Sequence, residues 1–384
     1  MRIRKKILQL LHGLNTGGAE ILAERLGRRL AESYDVIFAC LDNVGEIGER
    51  LLDSGFQVTH LARGSGIDFG CARRLATLVR KERVDIIHAH QYTPFFYALT
   101  IRMLATGRPV LFTEHGRFLP DYPRKKRMLF NRAMLRRQDR LIAVGRDVKR
   151  ALVENEGLPA DRVEVIYNGV CVESFDRAHF PHARQWLLAD VGLPSNAVIV
   201  VQVARLDYLK DHRTAVRTIA ATPEAANVHL LVIGEGPERA AIESEIQTCA
   251  LSARVHLLGL RHDIARILAG ADILLLTSIS EGIPLTIIEG MAAGLPIVST
   301  DVGGISEIIE DQLHGFLSPA KDVAALSSGL MRLGQNSTLR QRMGEAGCQA
   351  AALRFSEQAM HTHYHRTLAT MSGSLPQAKQ RVNP

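Results

Sequence analysis

Ala271-Asp-Ile-Leu-Leu-Leu-Thr-Ser278-Ile-Ser-Glu281-Gly282-Ile283-Pro284-Leu285-Thr-Ile-Ile-Glu289-Gly290 reads as strand, loop and helix. The apolar run 273–276 has strand length. Pro284 suits the first helical position, where a missing N–H costs nothing. Gly294 and then Pro296 end the helix. The free N–H groups at such a helix start form a ready site for phosphate. Working outward, the same unit recurs. Strands are expected at 198–203, 229–233, 255–258 and 297–299, with helical patterns between them. An earlier series covers 7–11, 36–40, 58–61, 86–88, 110–113 and 141–144, with a glycine-bearing loop 12–18 and a helix over 19–33. Strands that alternate with helices imply parallel pairing in sheets covered on both faces. The zone 171–194 is weakly patterned and holds Pro181 and Pro194, so the linker is expected there.

The expected organisation is therefore an α/β chain of two Rossmann-like, doubly wound domains facing across a cleft. They cover 1–175 and 190–355. A final helix over 356–371 follows, then a polar, breaker-rich tail, 372–384, expected to be disordered. Open parallel sheets bind ligands at the carboxyl ends of their strands, so chemistry is sought in the loops that follow the strands.

Composition narrows the class. The 384 residues suit two domains, and 46% hydrophobic with 23% charged residues excludes disorder as the main state. The net charge of +7 suits anionic partners without choosing among phosphate, nucleic acid and membrane; a merely soluble basic protein fits as well. Cys40, Cys71, Cys171, Cys249 and Cys348 are scattered and form no C-x-x-C pair, which argues against a disulfide framework or zinc site and suits a reducing cytoplasm. The N-terminal apolar stretch contains Gln9 and stops at His12-Gly13, too short and polar for a signal segment. No apolar run reaches the length that spans a bilayer.

Several constellations carry chemistry. Glu281 stands in the loop before the helix, and Glu289 lies inside it among Ile287, Ile288, Met291 and Ala292. A carboxylate among apolar neighbours needs partners. Vicinal ribose hydroxyls fit, as does capping of a neighbouring loop or pairing with a basic side chain. After the first strand of the second half come Arg205 and Lys210. Fixed cations there would stabilise a departing diphosphate; a solvated basic loop is the other reading. Gly17-Gly18 between strand and helix lets backbone approach a phosphate, or simply makes a tight turn. His88, His90, Glu114 and His115 follow strands of the first half, where histidines can bond sugar hydroxyls. His88 and His90 lack an evident third metal ligand, and His88 also fits a satisfied core position.

Together these residues resemble family 4 of the retaining glycosyltransferases, which has the GT-B fold. The pieces are Gly17-Gly18, His88-Ala-His90, Glu114-His115-Gly116, Tyr167-Asn168-Gly169-Val170, Arg205 with Lys210, Gly234-Glu235-Gly236-Pro237, and Glu281-x7-Glu289, in the family's order. The resemblance implies that Glu289 holds the nucleotide ribose and that Arg205 and Lys210 hold the diphosphate. It places the backbone of Gly282, Ile283, Pro284 and Leu285 at the phosphates and donor sugar, and Glu281 and His115 at the transferred sugar. Gly17 and Gly18 would close on the donor, and backbone from Gly259 to Arg261 would meet the base. The final helix would cross back to the N-terminal domain. Catalytic candidates are Glu281, His115, Arg205 and Lys210; acceptor-side candidates are His90, Glu114 and Asn168. One departure is Gly145, where the family often has Ser.

The resemblance also implies transfer with retention, no metal and no cofactor beyond the nucleotide-sugar donor. It implies a glycan or lipid-linked sugar acceptor, as in cell-envelope or exopolysaccharide synthesis. The basic run Arg124-Lys-Lys-Arg127, which continues into Met128-Leu-Phe130 and Arg136-Arg137, can rest on the inner face of an anionic membrane or form a solvated helix. No nucleic-acid motif is present. The competing readings are an epimerase or phosphorylase on the same fold, and a non-catalytic nucleotide-sugar-binding protein.

Overall fold

The computed structural model describes residues 4–104, 107–116 and 121–373. The alternation of strands and helices builds two parallel sheets. The first contains β1 (Lys6–Leu11), β2 (Asp35–Cys40), β3 (Val58–His60), β4 (Ile86–His90), β5 (Val110–Glu114), β6 (Arg140–Ala143) and β7 (Val163–Val165), in the order β3-β2-β1-β4-β5-β6-β7. The second contains β8 (Val198–Val203), β9 (Val228–Ile233), β10 (Val255–Gly259), β11 (Ile273–Leu276), β12 (Ile297–Thr300) and β13 (Gly315–Ser318), in the order β10-β9-β8-β11-β12-β13. Ile273, Leu274, Leu275 and Leu276 are all buried, as are Val198, Ile199, Val200 and Val201. Burial on both faces is why these strands read as apolar runs rather than alternations.

In each sheet the order reverses once, between β1 and β4 and between β8 and β11. That switch point leaves a crevice at the carboxyl ends of the two strands. The loops that carry Arg205 with Lys210 and Glu281 with Gly282 leave β8 and β11, so both flank the switch point of the second sheet.

The chain divides into Met1–Tyr167 together with the chain from Met360, and Asn168–Ala359. The passage between them lies at Tyr167–Asn168, upstream of the zone expected to be the linker. That zone instead forms turns Val172–Phe175 and Arg177–His179 and a helix Ala183–Val191, whose Ala183 and Leu187 are buried in the second unit. The chain enters and leaves that unit side by side: Val170 N donates to Phe355 O (3.0 Å) and Glu357 N to Val170 O (2.8 Å). Two strands went unread in the sequence, β7 and β13. Both are short and lie at sheet edges, where little apolar pattern is required. Of the expected tail, Ser372 and Gly373 close the last helix, Glu357–Met371, and 374–384 lie outside the described residues.

The first sheet is pinned by one buried ion pair. Arg102 donates Nη2 to Asp139 Oδ1 (2.5 Å) and Nη1 to Oδ2 (3.0 Å). Asp139 also accepts from Val110 N (3.0 Å) and Arg136 N (2.7 Å), tying the start of β5 to the turn before β6. Removing one partner leaves the other charge buried and unpaired. Asp139→Ala should lower the stability of the first unit by about 3–5 kcal/mol. Urea unfolding followed by circular dichroism reads this, and an unchanged first transition would contradict it.

Candidate functional site

In the second unit the register pairs Ile273 with Val200 and Leu274 with Val201. Beyond it the gap between β8 and β11 is bridged by side chains. Buried Gln202 donates Nε2 to Thr277 Oγ1 (3.2 Å), and Thr277 Oγ1 donates to Asp211 O (2.9 Å). Ile279 N donates to Leu209 O (2.9 Å), joining the two loops through backbone as well. Asp207 Oδ1 caps the turn Tyr208–Lys210 by accepting from Leu209 N (2.9 Å). Asp211, in the left-handed region at φ 43°, caps the next helix, His212–Ala221. The loop is thereby fixed on both sides of Lys210.

Lys210 Nζ donates to Glu281 Oε1 at 2.6 Å, and Ser278 Oγ donates to the same oxygen at 2.6 Å. The Lys210 side chain is 25% exposed and that of Glu281 7%, so the pair faces the crevice edge rather than bulk water. Arg205 is 74% exposed and bridges Asp207 at 2.7 Å. One cation is thus held firmly, and the other is free to swing onto a ligand anion.

Gly234 and the pair Gly303-Gly304 shape these loops. Gly234, at φ +141°, lies against the carbonyl of Ala204, so any Cβ would strike the Arg205 loop; Leu206 N donates to Glu235 O (2.9 Å) across the same contact. Gly303, at φ +57°, lies against the carbonyl of Glu281, and Gly304 N donates to Gly282 O (3.1 Å). Gly303, Gly304 and Gln202 were not singled out in the sequence, and Ser278 stood there only as part of the run leading to Glu281. The glycine pair after β12 carried the same signal as Gly17-Gly18. The roles of Ser278 and Gln202 depend on distances.

The helix is Leu285–Ala292, with Pro284 one position earlier than expected, at its N-cap. Ile283 and Pro284 are buried, Gly282 and Leu285 partly so, and Glu289 is half-buried between buried Ile288 and Gly290. Asn168 belongs to this unit rather than with His90 and Glu114: its Nδ2 donates to Ile283 O (3.3 Å), bracing the same loop. At the end of β10, Gly259 adopts φ +68°. Arg261 donates to Asp263 (2.7 Å) and Asp190 (3.0 Å), which hold its charge firmly on. Trp186, the sole tryptophan, has Arg261 at 5.6 Å and Arg266 at 3.9 Å from its ring centroid.

In the first unit Gly17 is the N-cap of the helix Gly18–Leu30, and the Glu20 carboxylate folds back against it. Burial pushes that carboxyl up from its usual range. His90 is enclosed rather than open to an acceptor: its Nε2 meets Gln9 Oε1 at 2.7 Å and its Nδ1 meets His115 Nε2 at 2.9 Å. Neither ring nitrogen is left for a metal. His88 is a buried core residue whose Nε2 is tied to Thr113 Oγ1 (2.9 Å), while its Nδ1 finds no hydrogen-bond partner among the described residues. Burial lowers all three, His88 to about 3 and His115 to about 4, so the cluster is neutral near pH 7. Glu114 is buried at the end of β5 and, with His12, Gln91, Gly116, Asp121 and Arg124, lines a cavity of about 200 Å³. Gln91 there holds φ 67°, an unusual backbone state for its type. Gly145 is an extended N-cap, where Ser would add a side-chain acceptor.

The basic run becomes the helix Lys125–Met134, with Lys125 and Lys126 exposed and Leu129 72% exposed. Arg127 is held by Glu156 at 2.9 Å. Among the described residues no helix is long and apolar enough to cross a membrane.

Comparison with known proteins bears on this geometry. Residues 16–174 match the family described as Glycosyltransferase Family 4, and residues 184–350 match Glycosyl transferases group 1. EpsD of Bacillus subtilis, named as a glycosyltransferase, is 30% identical over 298 residues, covering 74% of this chain and 76% of its own. The N-acetyl-alpha-D-glucosaminyl L-malate synthase of Bacillus anthracis is 23% identical, covering 91% and 93%. The UDP-Gal:alpha-D-GlcNAc-diphosphoundecaprenol alpha-1,3-galactosyltransferase of Escherichia coli is 26% identical, covering 80% and 82%. Among solved structures, Anabaena Alr3699/HepE in complex with UDP superposes with a TM-score of 0.85 at 21% identity, over 95% of this chain and 100% of that one. With two parallel, doubly wound sheets and both halves matched in order, the chain belongs to family 4 of the glycosyltransferases.

Proposed function

We propose that this glycosyltransferase moves a hexose, with retention and without a metal, from a uridine diphosphate sugar to a glycan or lipid-linked sugar of the cell envelope or an exopolysaccharide. The observation that carries the reading is the cluster Lys210–Glu281–Ser278 beside Arg205 at the switch point of the second sheet. Uridine is chosen because Anabaena HepE was solved with UDP and with UDP-glucose, and the Escherichia coli relative is named for UDP-Gal. The latter's name also supports a lipid-linked acceptor.

As the sugar C1–O bond breaks, its electron pair passes to the β-phosphate oxygen. Lys210, Arg205 and the N–H groups that open the helix Leu285–Ala292 receive that charge in place of a cation. The acceptor hydroxyl attacks from the same face, and its proton passes to the phosphate oxygen. Glu281 keeps Lys210 in place with one oxygen and offers the other to a sugar hydroxyl. Glu289 takes the ribose hydroxyls, and Gly17 and Gly18 approach the donor phosphates. His115 contacts the transferred sugar. The cavity lined by Glu114 serves the acceptor, and Gly259 to Arg261 meet the base. The reaction takes place on the cytoplasmic side. The basic helix with exposed Leu129 supports contact with an anionic membrane there.

Four outcomes follow. UDP, in preference to GDP or ADP, should alter the fluorescence of Trp186 and raise the melting temperature, with stabilisation of about 2.7 kcal/mol at 100 times its Kd. Glu289→Ala should abolish both effects; equal responses to all three nucleotides would contradict the base assignment. Lys210→Ala should lower kcat by about 100- to 1000-fold in the folded protein. Gly303→Ala should disable turnover while leaving far-UV circular dichroism intact, because its Cβ displaces the Glu281 loop; full activity would contradict that bracing role. Lys125→Glu with Lys126→Glu should weaken binding to anionic but not neutral vesicles, and unchanged binding would remove the membrane contact.

A further inference from the structure

The first sheet carries a polar stripe with no part in holding phosphate. The register sets Gln9 of β1 beside His88 of β4, and His90 beside Thr113 of β5. Strand alternation then places Gln9, His88, His90 and Thr113 on one face, with His115 two residues beyond Thr113. Gln9, His88, His90 and Thr113 are all buried, so each polar atom needs a partner. They form two chains of contacts. One runs Gln9 Oε1, His90 Nε2 (2.7 Å), His90 Nδ1, His115 Nε2 (2.9 Å). The other runs His88 Nε2, Thr113 Oγ1 (2.9 Å), Tyr364 OH (3.2 Å), and anchors the stripe beneath the last helix.

We infer that Gln9, acting through His90, fixes the tautomer of His115 so that His115 Nδ1 is a hydrogen-bond acceptor for a hydroxyl of the donor sugar. The logic is one of proton inventory. An amide oxygen only accepts, so His90 Nε2 must carry the hydrogen. Burial keeps His90 neutral, with one ring proton, so its Nδ1 has only a lone pair. That lone pair must accept from His115 Nε2–H. His115 is neutral for the same reason, and its Nδ1 is left with a lone pair too. This atom is buried and has no hydrogen-bond partner among the described residues. A lone pair there can take a hydroxyl proton and cannot donate to a phosphate. His115 would therefore read the sugar part of the donor and leave the diphosphate to Arg205 and Lys210. Gln9 and His90 are positioning residues, one and two hydrogen bonds removed from the ligand.

The inference rests on the proposal above that His115 contacts the donor sugar. The experiment separates the two. In the full-length protein labelled with 15N-histidine, long-range proton–nitrogen correlation spectra report which ring nitrogen of His115 is protonated, with His115→Asn used to assign the signal. The wild type should show Nε2–H and bare Nδ1. In the near-isosteric Gln9→Met the amide oxygen is gone, and His115 should populate both tautomers. Turnover of the UDP-sugar should fall about tenfold, the worth of one neutral hydrogen bond. Affinity for UDP, which lacks the sugar, should stay unchanged. A wild-type His115 protonated at Nδ1 overturns the relay by itself. Bare Nδ1 in the wild type but full turnover in Gln9→Met overturns its role in the reaction. Full turnover in His115→Asn as well shows that the sugar contact of His115 was the failing premise.

Discussion

The second unit depends on the gap between β8 and β11. Parallel strands that belong to opposite halves of a doubly wound sheet send their following chains to opposite faces, so the space above their carboxyl ends stays open. Open space lined by backbone must have its polar groups met. Gln202 and Thr277 meet them below, and the paired loops through Leu209 and Ile279 meet them above. Once those bonds are made, the positions of Lys210 and Glu281 are set. The glycines at 234 and 303 are consequences: the flanking loops pass so close behind the site that a Cβ has no room.

The charges in this crevice are unequally restrained, and that inequality suits the chemistry proposed for them. Lys210 is locked by Glu281, a carboxylate itself oriented by Ser278. A cation held in place before the ligand arrives spends no reorganisation as charge develops. Among the described residues Arg205 has Asp207 as its one acidic partner, and its side chain is largely exposed, so it can exchange Asp207 for a phosphate at little cost. In the first unit His88, His90 and His115 are held neutral by burial, which suits contact with hydroxyls rather than phosphates.

Much of this was legible in the sequence. The strands that carry the site are buried on both faces and appear as unbroken apolar runs, so 198–203 and 273–276 could be read directly. The edge strands β7 and β13 were missed, being three and four residues long without an unbroken apolar run, whereas β3, equally short and at an edge, was read at 58–61. The charged residues Arg205, Lys210, Glu281 and Glu289 were visible by type and spacing. Their partners were not. Ser278 and Gln202 are ordinary residues whose roles depend on which loop comes within three ångströms of which. Asn168 was grouped with the acceptor side by its place in the chain, and its bond to Ile283 puts it with the donor-side loop. His90 was read as an acceptor-side residue and is buried, because the sequence does not reveal that the Gln9 amide and His115 close on its two ring nitrogens.

The most direct test of the central claim, that Lys210 and Arg205 hold the outer phosphate of a uridine diphosphate sugar, is calorimetric binding of UDP and UMP to the wild type and to Lys210→Ala with Arg205→Ala. The two ligands differ by the β-phosphate alone. UDP should bind the wild type more tightly than UMP, and the double variant should bind both alike with UMP affinity unchanged. A preference for UDP that survives loss of both cations would place the β-phosphate elsewhere and contradict the account.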